Sequence, residues 1–297
     1  MSGTLETFAG ADAIPCQLMT PNAQEFQEAE RTLINGAVPG MPYPSVMTQK
    51  KMSLPIVTEF AGSGTAGTAP AFDKLLLAFG FNKTVVANTS VTYNLPWPVS
   101  ENRYSVGFDL SGQRHAGKGG IVTSVALKGE AGGFMSADFN YEGSYVPVIE
   151  TAAVTPVFPI FANPPTFDSL GIGSFTVAST SACIRSFEVT ATNTYTFQDD
   201  GACTSRHTIT DRTVEGSLTI QRQSLASLDP YALVASSTLA NLILPYGVVT
   251  GNISTITLPS IQLTSVAPTD VNGVIYWQIG WKQTASALNQ QLSIAFA

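Results

Sequence analysis

Along much of this chain apolar and polar residues alternate with the two-residue period of half-buried strands. In Tyr104–Leu110 the apolar set Tyr104, Val106, Phe108 and Leu110 faces one way, and Ser105, Gly107 and Asp109 the other. Phe134–Glu142 repeats the pattern, with Met135, Ala137, Phe139 and Tyr141 opposed to Ser136, Asp138, Asn140 and Glu142. Within Val274–Trp281 the residues Ile275, Trp277, Ile279 and Trp281 share one side, which marks both tryptophans as core. Further strands are expected at Leu54–Phe60, Ser90–Leu95, Gly120–Leu127, Ser186–Ala191, Thr194–Phe197, Gly216–Ile220, Ile253–Leu258, Ser260–Leu263 and Leu292–Phe296. Strands with one apolar and one polar face belong to antiparallel sheets resting on a core. The chain reads as mainly β with two short α-helices.

Each helix carries its own start signal. Pro70–Phe79 has a proline near its first turn and Gly80 to stop it, and Asp229-Pro230 opens Tyr231–Ala240 with the aspartate as N-cap. A strand leads into each helix and several strands follow it, so the same order of elements occurs twice, with no sequence identity to speak of. Between the halves runs a proline-rich stretch, Val146–Gly171, holding Pro147, Pro156, Pro159, Pro164 and Pro165. The expected division is 1–53, an N-terminal segment; 54–146, a first domain; 147–171, a linker; and 172–297, a second domain. The N-terminal segment contains an irregular loop from about Gly36 to Ser53, with Gly36, Pro39, Gly40, Pro42 and Pro44. A long loop of that composition is expected to reach toward a partner.

Composition sharpens this picture. Only 12% of the 297 residues are charged, about half the usual share of a soluble domain. Much of the surface is therefore neutral, and such a surface favours association. The net charge of −7 and the absence of a basic cluster beyond Lys50-Lys51 argue against sequence-specific nucleic-acid binding. Neither a secretory signal at Met1–Glu6 nor an apolar run long enough to span a bilayer as a helix is expected. Cys16, Cys183 and Cys203 form no disulfide framework or zinc pattern, although a Cys183–Cys203 bridge is conceivable across strands.

Candidate chemistry is sparse. Gly62-Ser-Gly64-Thr-Ala-Gly67 fits a dinucleotide fingerprint, but no acidic residue ends the next strand and no β–α–β unit follows. A flexible surface loop is the expected reading. His115 and His207 sit among polar and glycine neighbours and are expected in loops or turns. With no nucleophile elbow and no metal-ligand cluster, no enzyme and no cofactor or metal is expected. Carboxylates on the polar strand faces, Asp109, Asp138 and Glu142, are the candidates for an acidic lining.

The order of segments resembles the major tail tube proteins of long-tailed bacteriophages. The residues that carry the likeness are Ala61–Gly80 followed by Thr89–Tyr93, then Arg103–Leu110, His115–Thr123 and Phe134–Tyr145. In the second half they are Ala182–Val189 and Ile209–Ile220, a strand pair that the resemblance ends in an Asp-Arg turn. This likeness implies a virion tail protein, assembled in the host cytoplasm, whose duplicated barrel or sandwich domains join copies of itself. Inner sheets would close into a continuous β-barrel on oligomerisation, and rings would stack into a hollow tube around the tape measure protein and later the transiting double-stranded DNA. Three chains supplying six domains is the ring it favours, with a plain hexamer as the alternative and no membrane partner. Asp109, Asp138 and Glu142 would then face the lumen, and Gly36, Pro39, Gly40, Pro42 and Pro44 would reach between rings. The competing class is a β-sandwich carbohydrate-binding or adhesin module, for which Trp97, Trp277 and Trp281 are the tryptophans available.

Overall fold

A computed structural model describes residues 7–19, 25–30, 44–158, 163–198, 206–284 and 291–297. The first half contains β1 (Leu18–Met19), β2 (Glu25–Ala29), β3 (Val46–Glu59), α1 (Asp73–Phe79), β4 (Asn82–Val86), β5 (Ser90–Asn94), β6 (Tyr104–Leu110), β7 (Gln113–Glu130) and β8 (Ser136–Glu150). The second half contains β9 (Thr176–Val177), β10 (Thr180–Ser181), β11 (Ile184–Gln198), β12 (Arg206–Gln221), α2 (Pro230–Ser236), β13 (Leu239–Tyr246), β14 (Ser254–Val271), β15 (Val274–Gln283) and β16 (Ser293–Phe296). All strand pairs are antiparallel, and β3-β8-β7-β11-β12-β15-β14 run side by side in one sheet.

The same register recurs in both halves. β3 lies beside β8 and β8 beside β7, as β12 lies beside β15 and β15 beside β14. Glu59 opposes Ser136, and Ser136 opposes Lys128; correspondingly Gln221 opposes Tyr276, and Tyr276 opposes Thr269. β1 and β2 flank β3 where β11 flanks β12, since Leu18 opposes Val57 and Glu25 opposes Lys51, while Ser186 opposes Thr219 and Thr192 opposes Thr213. Each half thus forms a four-strand unit, and β7 pairs with β11 to join the two.

One core serves both units. β14 bends away from the large sheet and pairs with β13 and β16, and β16 pairs in turn with β5 of the first half. This layer covers the large sheet, so Phe296 of β16 packs on Phe60, Phe72 and Tyr93 at ring separations of 5.6, 6.0 and 5.9 Å. Helix α1 adds Leu75, Leu76, Ala78 and Phe79, all buried. Trp277 and Trp281 are buried on the core face of β15, as their alternation predicts. Gly216 on β12 makes room for the second: a Cβ there would stand 2.5 Å from the Trp281 ring.

Several boundaries differ from the sequence reading, each for a local reason. Strand β3 begins at Val46, within the stretch expected to be loop, because ladders to β2 and β8 hold Val46–Ser53. Pro44 precedes it, whereas Gly36, Pro39, Gly40 and Pro42 lie outside the described residues. β8 continues to Glu150, past the start of the expected linker. Helix α1 starts at Asp73 after a turn in which the Asp73 amide donates to the Pro70 carbonyl, and Gly80 stops it at φ 109°. Asp229 caps α2 through the Ala232 amide at 2.9 Å, but that helix ends at Ser236 and Leu239–Tyr246 is strand. Asp211-Arg212 lies inside β12 beside a bulge, not at a turn.

Candidate functional site

Because side chains alternate along a strand, the large sheet has a second face opposite the core. It carries Asp138 and Asn140 from β8, Ser124 and Lys128 from β7, Glu188 and Thr190 from β11, Thr213 and Glu215 from β12, and Lys282 from β15; the strand registers place these residues together. The face is continuous across both units. Short hydroxyl and amide groups share it with charges of both signs.

Asp138 and Glu142 lie on this face of β8, and neither is free. Lys128 stands 3.0 Å from Asp138 and 3.9 Å from Glu188, and these carboxylates hold the lysine above its ordinary pKa, the Asp138 hydrogen bond contributing most. Glu142 is only 14% exposed, 3.6 Å from Lys51, and accepts a hydrogen bond from the Tyr195 hydroxyl. Asp109 is elsewhere. It pairs with Arg114 at 2.7 Å, which draws its pKa below the ordinary value, and it lines a cavity of about 240 Å³ beneath the N-terminal segment. Leu54 and Ile56, core-facing residues of β3, line the same cavity.

Two buried polar groups tie the halves together. Arg212 donates to the Asn193 side chain at 2.8 Å and to the Pro96 carbonyl at 3.0 Å, and lies over the Phe79 ring. Asn193 in turn donates to the Phe79 carbonyl at 2.9 Å, at the end of α1. Burial lowers the Arg212 pKa to about 10. His207 is the other, a strand residue packed between Tyr195 and Phe197 rather than the expected loop residue. His115 is likewise in a strand, its ring stacked on Phe108. Among the described residues neither His207 ring nitrogen has a hydrogen-bond partner, and Nε2 lies 3.9 Å from Glu142. These contacts escaped the sequence reading because several of the partners, Phe79 and Pro96 for Arg212 and Glu142 for His207, lie far away along the chain.

The glycine-rich loop is anchored to the segment between β13 and β14, with Gly62 and Ser63 buried and Gly64 and Thr65 exposed. The Gly62 amide donates to the Asn252 side chain at 2.7 Å and the Gly64 amide to the Gly251 carbonyl at 2.9 Å, which occupies the backbone donors a phosphate would need. Cys16 and Cys183 are exposed free thiols, while Cys203 lies outside the described residues. Among the described residues no group of three or more His, Cys, Asp or Glu is placed to hold a metal ion, and no helix is long and apolar enough to cross a membrane. An aromatic saccharide platform finds no support from Trp277 and Trp281, since both are buried.

What the molecule does present is extended sheet, with a small-residue polar face and open strand edges, the features of a structural protein. Residues 4–281 match the family described as phage tail tube protein, and the chain belongs to that family. No curated protein matches the chain. Family membership carries a structural role in the tail tube of a bacteriophage virion.

Proposed function

We propose that this chain is the ring-forming subunit of the tube, with three copies supplying six four-strand units around a hollow bore and a plain hexamer of chains as the alternative. The observation behind this reading is the single sheet that runs through both units, cored on one side only. Continuing that sheet from copy to copy gives a closed barrel, which removes the edges that otherwise invite uncontrolled pairing. A head-to-tail contact of this kind closes into a ring when its rotation permits.

On this reading the face bearing Asp138, Glu188 and Glu215 lines the bore. Lys128 is held by Asp138 and Glu188, and the carboxylates of the face outnumber its lysines, so phosphates meet short hydroxyls and net negative charge, and DNA slides during ejection instead of sticking. The tape measure protein would occupy the same bore before the DNA, and assembly would take place in the host cytoplasm. The segment leading through Pro44 into β3 is the arm between rings. Negative-stain electron microscopy of the purified chain tests the proposal: rings and tubes of constant diameter are expected, and monodisperse monomers at high concentration would exclude it.

A further inference from the structure

Inside the chain, the seam between the two units is a seven-residue ladder. Ser124–Glu130 of β7 pairs with Ser186–Thr192 of β11, from Ser124 opposite Thr192 to Glu130 opposite Ser186. The recurring register carries both sides of this seam onto other residues. Lys128 and Thr269 hold the same place in their units, so Ser124–Glu130 of β7 corresponds to Ser265–Val271 of β14. Leu18 and Glu25 hold the places of Ser186 and Thr192, so β1 and β2 correspond to the pairing stretch of β11.

Both counterparts are open. Ser265–Val271 pairs with β15 on one side, and among the described residues its other side has no ladder partner. Among the described residues β1 and β2 pair with β3 alone. The β14 stretch is also dressed as a managed edge, with Pro268 and Asp270 exposed, which limits indiscriminate pairing. An open edge on one unit and an open edge on the other, each the counterpart of a strand that is sealed within the chain, define the two sides of one missing seam.

We propose that Ser265–Val271 of β14 pairs antiparallel with β1 and β2 of a second copy of this chain, Val271 opposite Leu18 and Ser265 opposite Glu25, with the same one-residue register shift that separates the β1 and β2 ladders to β3. The seam between copies then repeats the β7–β11 seam within one. This assignment rests on the tube reading above, and names the edges by which such a ring closes.

Residues directly opposite across an antiparallel ladder stand close enough for a disulfide. With Cys16, Cys183 and Cys203 replaced by serine, Glu25→Cys and Ser265→Cys are introduced together, the protein is assembled and oxidised, and micrographs are compared with a non-reducing gel. Rings are expected, with about tenfold more cross-linked chain than either single-cysteine variant yields, because the seam raises the effective thiol concentration. Rings without cross-linking overturn the edge assignment and leave the tube reading standing. Absence of rings from the cysteine-free parent, when the native chain also forms none, overturns the tube reading and the assignment with it. The pair Leu18→Cys and Val271→Cys reads the same register from its other end and covers the case in which Glu25→Cys fails to fold.

Discussion

His207 is fully buried, and its unpartnered imidazole is held neutral by its surroundings. Burial, helped by the Arg103 and Lys51 charges, pushes its pKa down to about 4 from 6.5. The unfolded chain therefore takes up a proton that the folded one refuses. The stability that depends on this group is whole above pH 6.5, declines as the pH falls from there toward 4, and is lost below. Its size is at most about 3 kcal/mol, from the ordinary worth of a pKa unit. His207→Phe should flatten the fall in urea midpoint between about pH 7 and about pH 4.5 relative to the parent. Equal slopes in the two proteins would show that His207 does not report on folding. Nothing in Ser205-Arg-His-Thr208 advertises this role, because its partners come from Tyr195, Phe197 and the distant Glu142.

At the scale of elements, alternation found the strands that have a core under one face. β6, β8 and β15 were legible for that reason. β4 was not, since all five of its residues are exposed and only its ladder to β5 defines it. The early part of β3 escaped notice likewise, because Val46 and Met47 are exposed and β2 holds that stretch. The β14–β15 hairpin is written more plainly: Val271 opposes Val274 across Asn272-Gly273, both with positive φ, as a type I′ turn requires. Gly273→Ala puts a Cβ on a residue at φ 82° and should cost about 1 kcal/mol. A lowered thermal midpoint is expected, and an unchanged one would mean the turn does not set the hairpin.

For the whole molecule, the order of segments does not give the registers, which depend on bulges and on pairing across the halves. The candidate carboxylates show the same limit. Asp138 and Glu142 do share a face, whereas Asp109 turns to a cavity on the core side, a difference that period-two patterning within one strand cannot express. The proposed bore makes a prediction at this scale. Thr190→Lys and Thr213→Lys add two positive charges to the polar face and turn its balance toward the cationic, and tails built from this variant should release DNA several-fold more slowly at low salt, recovering as salt is raised. Release at the parent's rate at every salt concentration would remove that face from the DNA path.

The β7–β11 ladder also bears on how such a structure is made. In a ring of three chains, half of the unit-to-unit contacts already exist when each polypeptide finishes folding. Nucleation then requires three molecules to meet instead of six, so its rate climbs less steeply with concentration. Damage would follow the same division, with cracks running along alternate boundaries where no covalent chain bridges the gap.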